Sequence, residues 1–372
     1  MVVTYAVLCV LVSVLPYEME DPDSQVYGTL GRNMASAPLS RWCAPVWQGH
    51  HGVPTLFQDH PPGGFWVIAL LIRAGFPEDS AGMCANFLYI LLTLYFLYRI
   101  ASHFGGHIFG WGAVFSFMLT PIFLQYLVRA NLEHALNLAT MAGFYAFVRS
   151  QTSHGYKIFF IVALAVAGFV KGVGAIVLPL VALTYWAVAL RSARSLFLIF
   201  AAGLVFLFLA AGFEIWYRET TDGVSFWWNY LHLQSGHVNP LHFFNNFFWY
   251  LPRVRWFAAP WVFYVLYGVY RARKSDVALL RDRFFVVSCL AATLVVFLYS
   301  LFDRRADRYI FSAYCLLAIS GGWALLRLRP RVVELFKERQ EVLPYWLSSA
   351  LVILTLLRIG FHTQHQGWGS GE

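Results

Sequence analysis

Carboxylates and imidazoles stand densely in one stretch of this chain, between Asp21 and Trp66. It opens with Asp21-Pro22-Asp23-Ser24-Gln25-Val26-Tyr27 and closes with Phe57-Gln58-Asp59-His60-Pro61-Pro62-Gly63-Gly64-Phe65-Trp66. Further on, Glu133 follows Arg129-Ala130-Asn131-Leu132 at the head of an apolar run. An ionisable residue near the end of a membrane helix is costly unless it meets water or a partner, so Asp21, Asp23 and Glu133 are functional candidates. For Glu133, a carboxylate simply favoured by the positive end of a helix is the competing explanation.

Cations come next. Lys171 interrupts Ala167-Gly168-Phe169-Val170 and is followed by Gly172 and Gly174. That pattern suggests a turn with an ammonium at its tip, able to hold a phosphate or simply to snorkel to the interface. Arg304, Arg305 and Arg308 stand in Asp303-Arg304-Arg305-Ala306-Asp307-Arg308-Tyr309. A guanidinium pairs with phosphate through two parallel hydrogen bonds. Local pairing with Asp303 and Asp307 is the alternative. His50-His51 and Asp59-His60 could join the acids around a divalent metal, though no tight ligand spacing supports it. His232, His237 and His242 are spaced by five, which does not align on one helix face. Their surroundings, with Trp227, Trp228, Tyr230, Phe243, Phe244 and Trp249, read as an aromatic flap at a membrane interface.

What must position these residues is a membrane frame. The 372 residues are 59% hydrophobic and 12% charged, against about 25% charged in soluble domains. Aromatic residues at 18% fit wide interfacial belts. The net charge of +8 lies in short clusters between apolar segments, which argues against nucleic acid. Five unpaired-looking cysteines predict neither a disulfide nor a thiolate metal site. Residues 2–16 read as a late-starting first span, and 63–76 as an interfacial helix too short to cross. Spans are expected at roughly 80–101, 108–128, 132–149, 157–171, 173–190, 195–216, 256–271, 284–302, 309–326 and 345–362. The expectation is therefore one all-α polytopic membrane domain over 1–372, with about eleven transmembrane helices and juxtamembrane helices on the outer face. Loops 18–62 and 217–253 are expected outside, with no separate C-terminal soluble domain. With the N-terminus inside, Arg99, Arg149, Lys157, Arg191, Arg194 and the clusters at 271–283 and 327–339 fall inside. Asp23, Asp59, His60, Glu133, Lys171 and Arg308 then share the outer face.

In order, these residues resemble one family. An acid and a Tyr four residues on precede Arg-Asn-Met: Asp23, Tyr27 and Arg32-Asn33-Met34. Then come Phe57, Asp59-His60-Pro61-Pro62 and Trp66, Glu133 heading a later span, Lys171-Gly172, and Arg308-Tyr309. The pattern is similar to that of polyprenyl-phosphate-sugar-dependent glycosyltransferases of C-type fold, which include protein O-mannosyltransferases and bacterial aminoarabinose transferases. It departs at Ser24, where a second carboxylate is expected, and at His60, where a lysine is common. The resemblance implies transfer of a sugar from a polyprenyl phosphate to an acceptor hydroxyl on a glycolipid, glycan or protein. The site then lies at the outer face of a bacterial inner membrane, and the displacement inverts the anomeric carbon. It implies Asp23, or Asp21, as general base, and Arg308, Lys171, His60 and Tyr309 at the donor phosphate. Tyr27, Arg32 and Trp66 fall to the sugar or acceptor site. A divalent cation held by Asp59 and Glu133 is a further candidate. A secondary transporter and a catalytically inactive relative are the competing classes.

Overall fold

The computed structural model describes residues 1–15, 22–48, 54–235, 238–274 and 278–369. The chain runs α1 (Val2–Val14), α2 (Pro22–Ser36), a short hairpin of β1 (Val46–Gln48) and β2 (Pro54–Leu56), then α3 (Gly63–Arg73), α4 (Glu78–Gly105), α5 (His107–Met118) and α6 (Pro121–Tyr126). It continues through α7 (Leu132–Arg149), α8 (His154–Lys171), α9 (Val177–Tyr185), α10 (Ala193–Thr220), α11 (Phe226–Ser235), α12 (Phe243–Phe257) and α13 (Trp261–Lys274). It ends with α14 (Arg283–Ser300), α15 (Phe311–Leu328), α16 (Pro330–Glu338) and α17 (Leu343–Gly369).

The molecule is an integral membrane protein. Along α10 the large apolar side chains Phe197, Phe200, Leu204 and Phe208 are exposed, Phe208 by 79%. Water would not tolerate so continuous an apolar face, whereas lipid chains would. Among the described residues, six apolar stretches are long enough to cross a bilayer. Length and apolarity alone do not confirm the eleven spans expected from the sequence, one stretch covering both sides of the turn at Lys171-Gly172, and two expected spans differ for local reasons. The expected span 108–128 breaks at Thr120-Pro121, where the Thr120 hydroxyl caps the Phe123 N–H at 3.3 Å. The expected span 256–271 becomes α13, 14 residues long, or about 21 Å against a hydrocarbon core of about 30 Å. The stretch 217–253, expected as a loop, contains α11 and most of α12. The expectation of an all-helical chain also misses the small hairpin, in which Val46 faces Leu56 and Trp47 faces Thr55.

Helix starts follow their caps. Asn131 accepts from the Glu133 N–H at 2.9 Å to begin α7, and Asp282 accepts from Phe284 and Phe285 to begin α14. Helices α5 and α15 approach closely through small residues. A Cβ on Gly322 would lie 2.0 Å from the Ser116 hydroxyl oxygen, so only glycine fits there. At Lys171-Gly172 the chain turns back, and Tyr185 of α9 and Phe160 of α8 both meet Phe147 of α7. Glu133 heads α7, Lys171 ends α8, and Arg308 stands in the turn before α15. These three ends of the bundle therefore coincide. Arg149 and Arg327 occupy the far ends of α7 and α15.

Candidate functional site

Four charged side chains from four separate segments form one chain of ion pairs. Arg308 pairs with the Asp23 carboxylate near the start of α2. Its Nε also lies 3.6 Å from Glu133 Oε1. Lys171 Nζ donates to that same oxygen. Glu133 and Lys171 are buried, at 3% and 7% exposure. A buried charge is tolerated only when paired, so each supports the other. Asp23 and Arg308 are more open, at the mouth of the cluster. Tyr309 completes it, with its ring 5.3 Å from Lys171 Nζ and 5.7 Å from the Arg308 guanidinium carbon.

Next to the pairs lies a cleft with about 620 Å³ of empty space. Its polar lining is His60, Lys171, Tyr230, Gln234, Tyr299, Arg304 and Tyr309, and its apolar lining includes Ile176, Leu298 and Phe302. His60 is partly buried just before α3, with Tyr27 and Phe57 about it at ring distances of 6.3 and 6.4 Å. Burial, with the positive charges of Lys171, Arg304 and Arg308 around it, pushes the His60 imidazole down to about 3. It is therefore neutral at physiological pH and adds no positive charge where a lysine is common. Its Nδ1 is shut off from solvent without a hydrogen-bond partner, as is the Tyr299 hydroxyl. Burial and the carboxylates of Glu133 and Asp23 hold the Tyr27 phenol well above its usual range, so it stays a neutral O–H group.

The structure thus brings together Asp23, Tyr27, His60, Glu133, Lys171, Arg308 and Tyr309. It does not bring Arg32 to the cleft. Its guanidinium is held by Glu78 at 2.7 Å and Asp79 at 2.8 Å at the start of α4. Trp66 donates to the Trp42 carbonyl at 3.0 Å and stacks on Phe169, away from the cleft lining. Asp59 is exposed. No cluster of three or more His, Cys, Asp or Glu side chains suited to a metal occurs among the described residues. Glu133 is already engaged by two cations, so Asp59 and Glu133 do not fit a cation site, and no chemistry is routed through one. Asp21, His50, His51 and His237 lie outside the described residues. His242 pairs with Asp303 at 2.7 Å rather than with the other histidines. Ser24, at the place of the expected second carboxylate, is buried and donates to the Ala130 carbonyl at 3.0 Å.

Two cleft residues had no signal in the sequence beyond their place in aromatic runs. Tyr299 ends α14, and Gln234 stands near the end of α11. Gln58 is a third polar residue near the site. It donates to the Tyr217 hydroxyl at 2.9 Å and accepts from the Asn229 amide at 3.2 Å, which ties the His60 arm to α11.

Residues 59–216 match the family described as dolichyl-phosphate-mannose-protein mannosyltransferase. No curated protein matches the chain by sequence. Among solved structures, ArnT from Cupriavidus metallidurans bound to undecaprenyl phosphate superposes with a TM-score of 0.67. The identity is 16%, over 96% of this chain and 74% of that one. ArnT from the same organism in the apo state gives a TM-score of 0.64 at 20% identity, over 89% of this chain and 60% of that one. Residues 59–216 thus resemble the dolichyl-phosphate-mannose-protein mannosyltransferases, and the chain shares the membrane fold of ArnT along nearly its whole length.

Proposed function

We propose that the protein transfers a sugar from a polyprenyl phosphate to an acceptor hydroxyl at the outer face of the membrane. The observation that carries this reading is the convergence of Lys171 and Arg308 on one buried carboxylate beside the cleft. Two cations fixed that closely can close on an oxyanion that enters between them. That ArnT has been crystallised with undecaprenyl phosphate supports a ligand of this kind. The charges sit at helix ends, whereas transport sites favour broken helices at the membrane midplane.

In this reading Asp23 is the general base. Its carboxylate takes the proton of the acceptor hydroxyl as the oxygen bonds to the anomeric carbon. The anomeric carbon–oxygen bond to phosphate breaks at the same time. The departing polyprenyl phosphate keeps the electron pair, and its new charge is met by Lys171 and Arg308. A single displacement inverts the anomeric centre. Arg308 also pairs with Asp23, so a phosphate that draws Arg308 inward would loosen its hold on the base. In this reading neutral His60, which lines the cleft, gives donor oxygens a hydrogen bond rather than a counter-charge.

The test is turnover by the purified full-length protein with undecaprenyl-phosphate-linked sugars and candidate acceptors, read as release of undecaprenyl phosphate. Sugar-dependent release that Lys171→Ala reduces about a hundredfold supports the reading. Absence of both turnover and undecaprenyl phosphate binding would leave a non-catalytic relative as the better description.

A further inference from the structure

Lys171 is the most constrained cation of the cluster, yet it stands at a break in the chain. After it Gly172 has φ +52°, a backbone conformation that side chains rarely adopt. One side chain from another helix bonds the backbone on both sides of that break. The Tyr230 hydroxyl donates to the Lys171 carbonyl at 3.2 Å and accepts from the Val173 N–H at 2.9 Å. A Cβ on Gly172 would come 2.3 Å from that hydroxyl oxygen, so the turn and the tyrosine fit only each other.

Tyr230 is itself firmly placed. It is 1% exposed and its ring stacks on Phe226 at 5.7 Å. The helix that carries it is fixed at its start by Glu214, whose carboxylate accepts from the N–H groups of Phe226 and Trp227 at 3.1 Å each. Trp227 adds a bond to the Ala210 carbonyl at 2.9 Å. Asn229 ties the same helix to Gln58, two residues before His60. Helix α11 thus ties the Lys171 turn to the His60 arm, both of which line the cleft.

We propose that Tyr230 is a positioning residue for Lys171, holding the turn so that the ammonium can meet a phosphate in the cleft. The proposal rests on the phosphate role of Lys171 given above. It places no substrate contact on the Tyr230 hydroxyl, which is committed to backbone.

A double-mutant cycle on the full-length protein tests it, with undecaprenyl phosphate as the probe and dissociation constants as the readout. Tyr230→Phe keeps the stacked ring and removes both hydrogen bonds. The expected result is a loss of affinity of about fivefold to tenfold in the parent protein. In a Lys171→Ala background the same change should cost less than about twofold, because no ammonium remains to be positioned. Equal losses in both backgrounds would make Tyr230 a general structural residue and overturn the proposal, as would unchanged affinity of Tyr230→Phe beside a weakened Lys171→Ala. If Lys171→Ala itself binds undecaprenyl phosphate as tightly as the parent, the phosphate reading of Lys171 falls first and this inference with it.

Discussion

Asp23 and Arg308 are 285 positions apart in sequence, and only the fold makes them a pair. Removing the carboxylate charge without changing its shape separates base from packing. Asp23→Asn is expected to lower transfer by about 10²–10⁴-fold while the folded protein and its undecaprenyl phosphate binding persist. Normal transfer by that variant would remove Asp23 from the base role. At Arg308, Lys keeps the charge but loses the planar fork, so Arg308→Lys should fall between the parent and Arg308→Ala in rate. Equal rates in all three would show a solvated arginine. His60 gives a pH test. Its folded value is depressed to about 3 from an ordinary value near 6.5. Between those limits the unfolded chain binds the proton that the folded site refuses, so folding stability falls as pH drops below about 6.5. The melting temperature of the parent should therefore drop relative to His60→Gln from pH 8 to pH 5, and a gap independent of pH would show an accessible imidazole. The types and order of these residues were legible in the sequence. Their pairing was not, because nothing in a linear pattern tells that Glu133 would be shared by two cations, or that Ser24 would be spent on the Ala130 carbonyl.

At the scale of elements, the sequence was most legible where apolar runs are long and their starts capped by a side chain, as in α7, α8 and α14. It was least legible where polarity and aromaticity mix. The 217–253 stretch reads as a loop because its charges and histidines break the apolar run. Three aromatic side chains of α11 nonetheless pack as one face, with Phe226 and Tyr230 buried beside Phe213 and Tyr217 and Trp227 against them. The break at Gly172 was anticipated as a turn, but its partner Tyr230 was not, since 57 intervening positions carry no mark of the contact. Gly172→Ala should therefore act at two levels. The methyl group is disfavoured at φ +52°, by roughly 1–2 kcal/mol, and it collides with the Tyr230 hydroxyl. A lowered melting temperature together with weakened undecaprenyl phosphate binding is the expected outcome. A stability loss with unchanged binding would show that the turn geometry does not reach Lys171.

For the whole molecule, the question is which side of the membrane the cluster faces. Helices α7 and α15 carry opposite roles at their two ends: Glu133 and the Arg308 turn at one, Arg149 and Arg327 at the other. The far end also holds Arg331 and Lys337 of α16, with Arg329 and Arg339 at its two caps. Basic residues concentrate on the cytoplasmic side of membrane proteins, so the ion-pair cluster should face outward. Charge bias was readable from the sequence alone, whereas the bounds of single helices were less so, since an apolar run can break partway, as at Thr120-Pro121. Two well-exposed positions, one at each end, decide the matter: Trp228 on α11 and Glu338 on α16. On a background with the five native cysteines replaced, Trp228→Cys should react with an impermeant maleimide added to intact cells, and Glu338→Cys should react only after the membrane is opened. The reverse pattern would put the cluster on the cytoplasmic side. It would then have to meet a donor and an acceptor there, and the outward-facing transfer proposed above would not stand.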